Sequence, residues 1–288
     1  MESGKLMLKK ITGVHRYTFQ NILRFKSPTR VFANEVRHNL EVRQLRFTEI
    51  ESTYEVKTIK RKQSYTKGIE ALTPLLFDKI YPLFIIKINN LGEIKDFLNY
   101  EDVVYNWSKH KKEIVNAFEK NWLTENAIKG IDQMMFDYEE FKNTLSRNLE
   151  IKMLFPALFN IAQNENKEFV KEESCDEFPA NIEIPMNLFY KTSNGEQNTL
   201  VFRFEGALND EKFETKKEGE LKTEKRKLIE LVRTLKNDNK AKFQPLIKQT
   251  GFFSIDHNSC VDKALEAIKF KIPDFIYQDR ITSLTLQN

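Results

Sequence analysis

Between residues 31 and 65 apolar side chains alternate with charged and polar ones over a length that one short strand cannot use. Val36, His38, Leu40 and Val42 share one parity, Leu45 and Phe47 the other, and Tyr54 and Val56 resume an even face before Lys60-Arg61-Lys62. A period of two marks strands with one buried face. The change of parity near Gln44 requires a bulge or a turn, because a one-residue slip would carry the whole apolar set to the wrong side. Two or three long antiparallel strands fit. An earlier strand carries Tyr17, Phe19, Leu23 and Phe25 and is ended by Ser27-Pro28-Thr29. The clearest hairpin has Met186, Leu188 and Tyr190 on one arm, Asn194-Gly195 as the turn, and Leu200, Phe202 and Phe204 on the return.

Helical periodicity fills the middle of the chain. Residues 69–80 read as a short helix, and Pro82–Asn89, Asn90-Leu91-Gly92 and Glu93-Ile94 read as strand, turn and return. Asn99 is placed as an N-cap, with Asp102 near the capping-box position. Behind it Val103, Val104, Trp107, Ile114, Val115 and Phe118 repeat at helical spacing. One stripe from Ala127 to Leu149 predicts a second, antiparallel helix. Met153–Ala162, with Pro156 inside it, is apolar all round and predicts a buried element or a lid. The acidic stretch 163–178 predicts a linker. Residues 212–222 suggest a charged strand, Lys225–Lys236 a helix, Phe252–Asp256 a strand, Val261–Ile272 a helix and Phe275–Leu286 a last strand. Phe84–Ile94 resembles Phe252–Val261 as strand followed by polar turn, the trace of a repeat. The fold class is therefore α+β, with long, curved antiparallel sheet and helices packed on one face. Its parts are 1–163, a sheet with a helical hairpin, and 179–288, a hairpin-rich region with one or two helices. The pattern leaves open two related halves or one continuous domain.

Charge is unevenly spread. Residues 1–67 hold 15 Lys/Arg against 6 Asp/Glu, which leaves the remainder acidic although the whole chain is only +4. The basic run Lys57, Lys60, Arg61 and Lys62 is a candidate contact for an anionic partner, but a single nearby aromatic, Tyr65, argues against nucleic acid. No apolar run follows Lys9 and Lys10, and no stretch of about 18 apolar residues is present. A cytoplasmic protein is expected, or a periplasmic one if a signal sequence has been removed. The chain lacks Gly-x-Gly-x-x-Gly, His-Glu-x-x-His and Gly-x-Ser-x-Gly. Asp256, His257 and Cys260 are the densest group of ligand types and read equally as a turn. No catalytic residue, metal or cofactor is assigned. Twenty-three phenylalanines suggest a deep apolar interior, with Leu154, Phe155, Leu158 and Phe159 as candidate cavity or lid residues.

The order strand, Asn-x-x-Gly-like turn, return strand, Asn cap and Trp-bearing helix over Pro82–Trp107 resembles the lipoprotein-carrier-like (LolA/LolB-like) half-barrel proteins. The likeness covers about 25 residues and the general order of elements. It implies an antiparallel sheet wrapped around helices and an apolar cavity; the missing signal sequence departs from that group. The leading functional expectation is a non-enzymatic adaptor, chaperone-like or accessory component that engages another protein or itself. The alternative is a carrier of a hydrophobic, lipid-like ligand. An enzyme of unrecognised type is the third.

Overall fold

Strand alternation organises the molecule into one sheet. The computed structural model describes residues 6–28, 30–64, 76–118, 122–159, 167–175, 182–196, 199–215, 222–236, 245–272 and 275–287. Eleven strands follow: β1 (Val14–Lys26), β2 (Val31–Phe47), β3 (Glu51–Gln63), β4 (Leu83–Asn89), β5 (Ile94–Phe97), β6 (Glu168–Cys175), β7 (Ile184–Asn194), β8 (Leu200–Leu208), β9 (Leu246–Ile255), β10 (Val261–Ile272) and β11 (Ile276–Gln287). Their order is β5-β4-β3-β2-β1-β11-β10-β9-β8-β7-β6, and every pair is antiparallel. The chain thus runs outward from β1 to one edge, crosses to the other edge, and returns until β11 lies beside β1.

The inner face carries the core. Tyr17, Phe19, Leu40, Val42, Tyr54, Val56, Ile86 and Ile88 belong to one arm, and Leu188, Tyr190, Phe202, Phe204, Ile268 and Phe270 to the other. The change of parity near Gln44 is a bulge: Gln44 pairs with Tyr54 and Arg46 with Thr53, so Leu45 is unmatched. The sheet curves round this face. Ile94 and Lys95 of β5, at one end of the strand order, line the same cavity as Lys171 and Glu173 of β6, at the other.

Among the described residues six α-helices accompany the sheet: α1 (Tyr100–Asn116), α2 (Trp122–Phe136), α3 (Tyr138–Ser146), α4 (Leu149–Leu154), α5 (Asp210–Glu214) and α6 (Glu224–Lys236). The first two run antiparallel: Tyr100 donates to the Met135 carbonyl at 2.9 Å, and the Trp107 indole to Asp132 at 3.0 Å. The stripe from Ala127 to Leu149 is not one helix. Asp137 takes an extended conformation and accepts from the Glu140 amide, so its carboxylate ends one helix and caps the next. Asn99 precedes α1 as expected, but its side chain does not cap it. Its side-chain amide instead accepts from the Ile85 N–H at 2.8 Å and donates to the Leu83 carbonyl at 2.9 Å, extending the edge pairing of β4 beyond the end of β5.

Other expectations are corrected. Val261–Ile272 is strand β10, not a helix: Ala264, Ile268, Phe270 and Ile272 share its buried face, and the spacing of Val261, Leu265, Ile268 and Ile272 had satisfied the helical period by coincidence. In 212–222 the chain forms α5, capped by Asn209, rather than a strand, with 216–221 outside the described residues. Glu168–Cys175, in the stretch read as a linker, is β6. At the end of the Met186–Phe204 hairpin the Gly195 amide is bonded to the Thr199 carbonyl, with 197–198 outside the described residues. Residues 69–75 lie outside the described residues, and Leu76–Ile80 is a π-helical turn.

The two segments that resemble each other share a turn geometry. Asn89 Oδ1 accepts from the amides of Leu91 and Glu93, and Asp256 Oδ1 from those of Asn258 and Cys260. The fourth residue of each turn has a left-handed backbone, Gly92 at φ 86° and Ser259 at φ 66°. Among the described residues no helix is long and apolar enough to cross a membrane.

Candidate functional site

The segment after α4 lies across the curved sheet as a plug. Asn148 caps α4 by accepting from the Glu150 and Ile151 amides. Pro156 then stops the helix, because the residue before proline is pushed out of the helical region; Phe155 sits at φ −127°, ψ 76°. Ala157 follows with φ 53°. The plug is tied to both open edges of the sheet. The Phe159 amide donates to the Leu91 carbonyl at 3.2 Å, and Lys171 Nζ of β6 donates to the Pro156 carbonyl at 3.1 Å.

Leu154, Phe155, Leu158 and Phe159 are all buried in this plug. Towards β1–β3 the packing is close. Phe155 meets the Tyr54 ring at 5.1 Å, and the gap left among Tyr17, Tyr54, Phe159 and Cys260 is about 20 Å³, room for one water at most. Towards β7–β10 the plug does not fill the sheet. A cavity of about 430 Å³ remains, lined by Phe155, Leu188, Tyr190, Phe204 and Phe253. The rings form a continuous floor, with Tyr190 and Phe204 centred 5.1 Å apart and Phe204 and Phe253 6.0 Å apart.

One side of the cavity is charged. Glu173 lies 3.3 Å from Lys152 and 3.1 Å from Lys171, while Glu266 meets Arg280 at 3.3 Å and the Gln249 amide at 2.6 Å. Burial works against both members of the first pair. The neighbouring carboxylates nevertheless hold Lys152 above the ordinary ammonium range, and the two lysines hold Glu173 below the ordinary carboxylate range. Beyond α4 an open groove of about 910 Å³ shares Lys152, Glu266 and Arg280 with this cluster.

These charged residues were missed in the sequence because Lys171 and Glu173 fell in the supposed linker and Glu266 in the supposed helix. A signal existed in β11, where Gln278, Arg280 and Thr282 occupy inner-face positions between Ile276 and Leu284. The basic run is divided. Lys57, Lys60 and Lys62 are exposed on the outer face, whereas Arg61 is paired in register with fully buried His38 and points inward. It is not part of one contact surface with the three lysines.

Asp256, His257 and Cys260 form the turn described above. His257 is exposed, and Cys260 lies inside, 3.9 Å from His15 Nδ1. Among the described residues no group of three His, Cys, Asp or Glu side chains is placed to hold a metal ion. Burial pushes the thiols of Cys175 and Cys260 up to about 12. Both should therefore resist a disulfide reagent at neutral pH in the native protein and react on unfolding in urea. The thiolate is favoured only in the unfolded chain. Stability should thus be unaffected below the ordinary thiol range and fall as pH climbs from about 9, by up to about 1.4 kcal/mol per pH unit for each thiol. Rapid labelling of the native protein would contradict this burial.

No family model and no curated protein matches the chain. Among solved structures, one described as lipid–protein interactions in lipovitellin is similar at TM-score 0.44 and 9% identity. The match covers 96% of this chain and spans 25% of that one, and a likeness at this level carries no argument here.

Proposed function

We propose that the protein is a non-enzymatic carrier of a hydrophobic, lipid-like ligand held between the plug and β7–β10. The observation that carries this reading is the aromatic-floored cavity of about 430 Å³, which falls within the range of roughly 300–1,000 Å³ common for small-molecule sites. An apolar chain would lie on Tyr190, Phe204 and Phe253, and a polar end would face Lys152, Lys171 and Glu173. Phe155 would act as the inner wall and the plug as a lid. The resemblance of Pro82–Trp107 to the half-barrel carriers leads to the same expectation.

The test is titration with a fluorescent fatty acid, read beside native mass spectrometry. Stoichiometric binding is expected, and Leu149→Trp, which places a ring into the cavity from its half-buried rim, should abolish it while leaving the melting temperature within a few degrees. Undiminished binding by that variant, or none by the parent, would sink the reading.

A protein-binding adaptor is the second reading, and one observation favours it. Among the described strands β6 pairs only with β7, and Val170 and Phe189 stand opposite each other on the outer face beside it, 56% and 50% exposed. Recovery from source cells with a bound protein mass and no small ligand would support this reading over the first.

A further inference from the structure

The outer face of the sheet carries a second, unrelated feature at the end where β1 turns into β2. Strand register places Val31 opposite Lys26, Lys26 opposite Tyr277, Tyr277 opposite Lys271, and Lys271 opposite Leu246. Residues directly opposite one another share a face, so these five side chains form one row across β2, β1, β11, β10 and β9. All five are exposed, with Val31 at 72%, Leu246 at 57% and Tyr277 at 38%. At about 4.8 Å per strand the row is about 19 Å long. The next outward row is Ala33, Arg24, Asp279, Lys269 and Lys248. Asp279 is buried and bridged to Arg24 at 3.3 Å, and no carboxylate among the described residues pairs with Lys26, Lys248, Lys269 or Lys271.

Edge protection does not account for these lysines, since β1, β11 and β10 are the centre of the sheet. Nor does a core, since their face is the outer one. The combination is an apolar side chain at every second place along a row whose other places are cationic, backed by a second row in which Arg24, Lys269 and Lys248 outnumber the one buried carboxylate, Asp279.

We propose that this rim docks on a bilayer surface carrying anionic lipid. Val31, Tyr277 and Leu246 would enter the interface, where tyrosine is favoured, while Arg24, Lys26, Lys248, Lys269 and Lys271 face the phosphates. Only one aromatic ring stands in the row, which offers little to stacked bases, whereas aliphatic tips between cations suit a bilayer. The surface is separate from the cavity, so failure of ligand loading leaves it standing.

The experiment is flotation of the whole chain with vesicles of phosphatidylcholine alone and of phosphatidylcholine with phosphatidylglycerol. Binding is expected only to the anionic vesicles and should weaken as salt is raised. Lys269→Gln with Lys271→Gln should lower the partition coefficient about 30-fold, at about 1 kcal/mol for each cation lost. Leu246→Ser should lower it without changing the salt dependence. Lys57→Gln with Lys60→Gln, on the same face but away from the rim, should leave it unchanged. All five positions are exposed, and unchanged circular dichroism would verify folding. Equal binding to neutral vesicles, no binding to anionic ones, or equal loss in the Lys57/Lys60 variant would overturn the proposal. So would binding to an RNA homopolymer with the same dependence on Lys269 and Lys271.

Discussion

Replacing Gly251 with alanine is expected to cost about 3–5 kcal/mol, enough to remove a large part of the stability of a chain this size. A Cβ at that position would sit 2.2 Å from the Leu265 carbonyl oxygen and 2.5 Å from the Phe204 ring. The first of these is backbone of β10, opposite β9, and cannot move without disturbing the ladder that joins the two strands. The second is the middle of the cavity floor. Overpacking alone costs roughly 1–3 kcal/mol, and each ladder bond lost adds about 1. The midpoint of urea unfolding measures the total. Gly206→Ala is the comparison: its Cβ would meet Gln249 Cβ and the Leu188 Cδ2 methyl at 2.9 Å but no backbone carbonyl, so a smaller cost of about 1–2 kcal/mol is expected. Equal effects at the two glycines would contradict the role given to the Leu265 carbonyl. If Gly251→Ala does fold, a displaced Phe204 should also weaken fatty-acid binding.

Glu150→Leu is expected to cost about 3 kcal/mol, and His38→Leu a similar amount, while the double variant recovers most of the loss. Glu150 Oε1 lies 2.6 Å from His38 Nδ1, with the two side chains 9% and 0% exposed. The histidine ring meets that of Phe19 at 5.4 Å, tilted by 44°, on the inner face of the sheet, and water has little access to either partner. Removing one side of such a pair strands the other, whereas removing both leaves an apolar contact of similar volume. A double-mutant cycle should give a coupling of about 2 kcal/mol, and additive losses would contradict the argument. Because Glu150 belongs to α4 and His38 to β2, the pair also fixes the plug to the sheet. The single variants should therefore admit a fluorescent fatty acid faster than the parent, even at concentrations of denaturant too low to unfold them.

The parts of this fold that could be read in the sequence are those where one periodicity excluded the other. Met186–Phe204 alternates too strictly to be anything but a hairpin, and the parity change near Gln44 could only be a bulge or turn; the unmatched residue proved to be Leu45. Where both periods fit, reading failed. Val261, Leu265, Ile268 and Ile272 satisfied a helix, although Phe270 and the even-numbered buried face belong to a strand. The break at Asp137 was written locally, as a carboxylate three residues before Glu140, but a continuous apolar stripe on both sides masked it. The plug residues were visible because Met153–Ala162 has no polar face. The charged side of the cavity was not, because it is assembled from α4, β6, β10 and β11, and only strand register brings Lys152, Glu173 and Glu266 together.

The pairing of β1 with β11 has a consequence in time rather than in space. Each remaining ladder joins strands that follow one another in the chain, so either arm of the sheet can zip from its own hairpins. The seam between the arms joins residues such as Arg16 and Gln287, about 270 positions apart. Such a contact forms late, both in refolding and on the ribosome. At roughly 5–20 residues per second, β1 waits about 14–54 s for its second neighbour. Throughout that interval a thirteen-residue strand offers a bare hydrogen-bonding edge to any other chain nearby. The newborn protein is therefore most exposed to aggregation along what becomes the centre of its sheet.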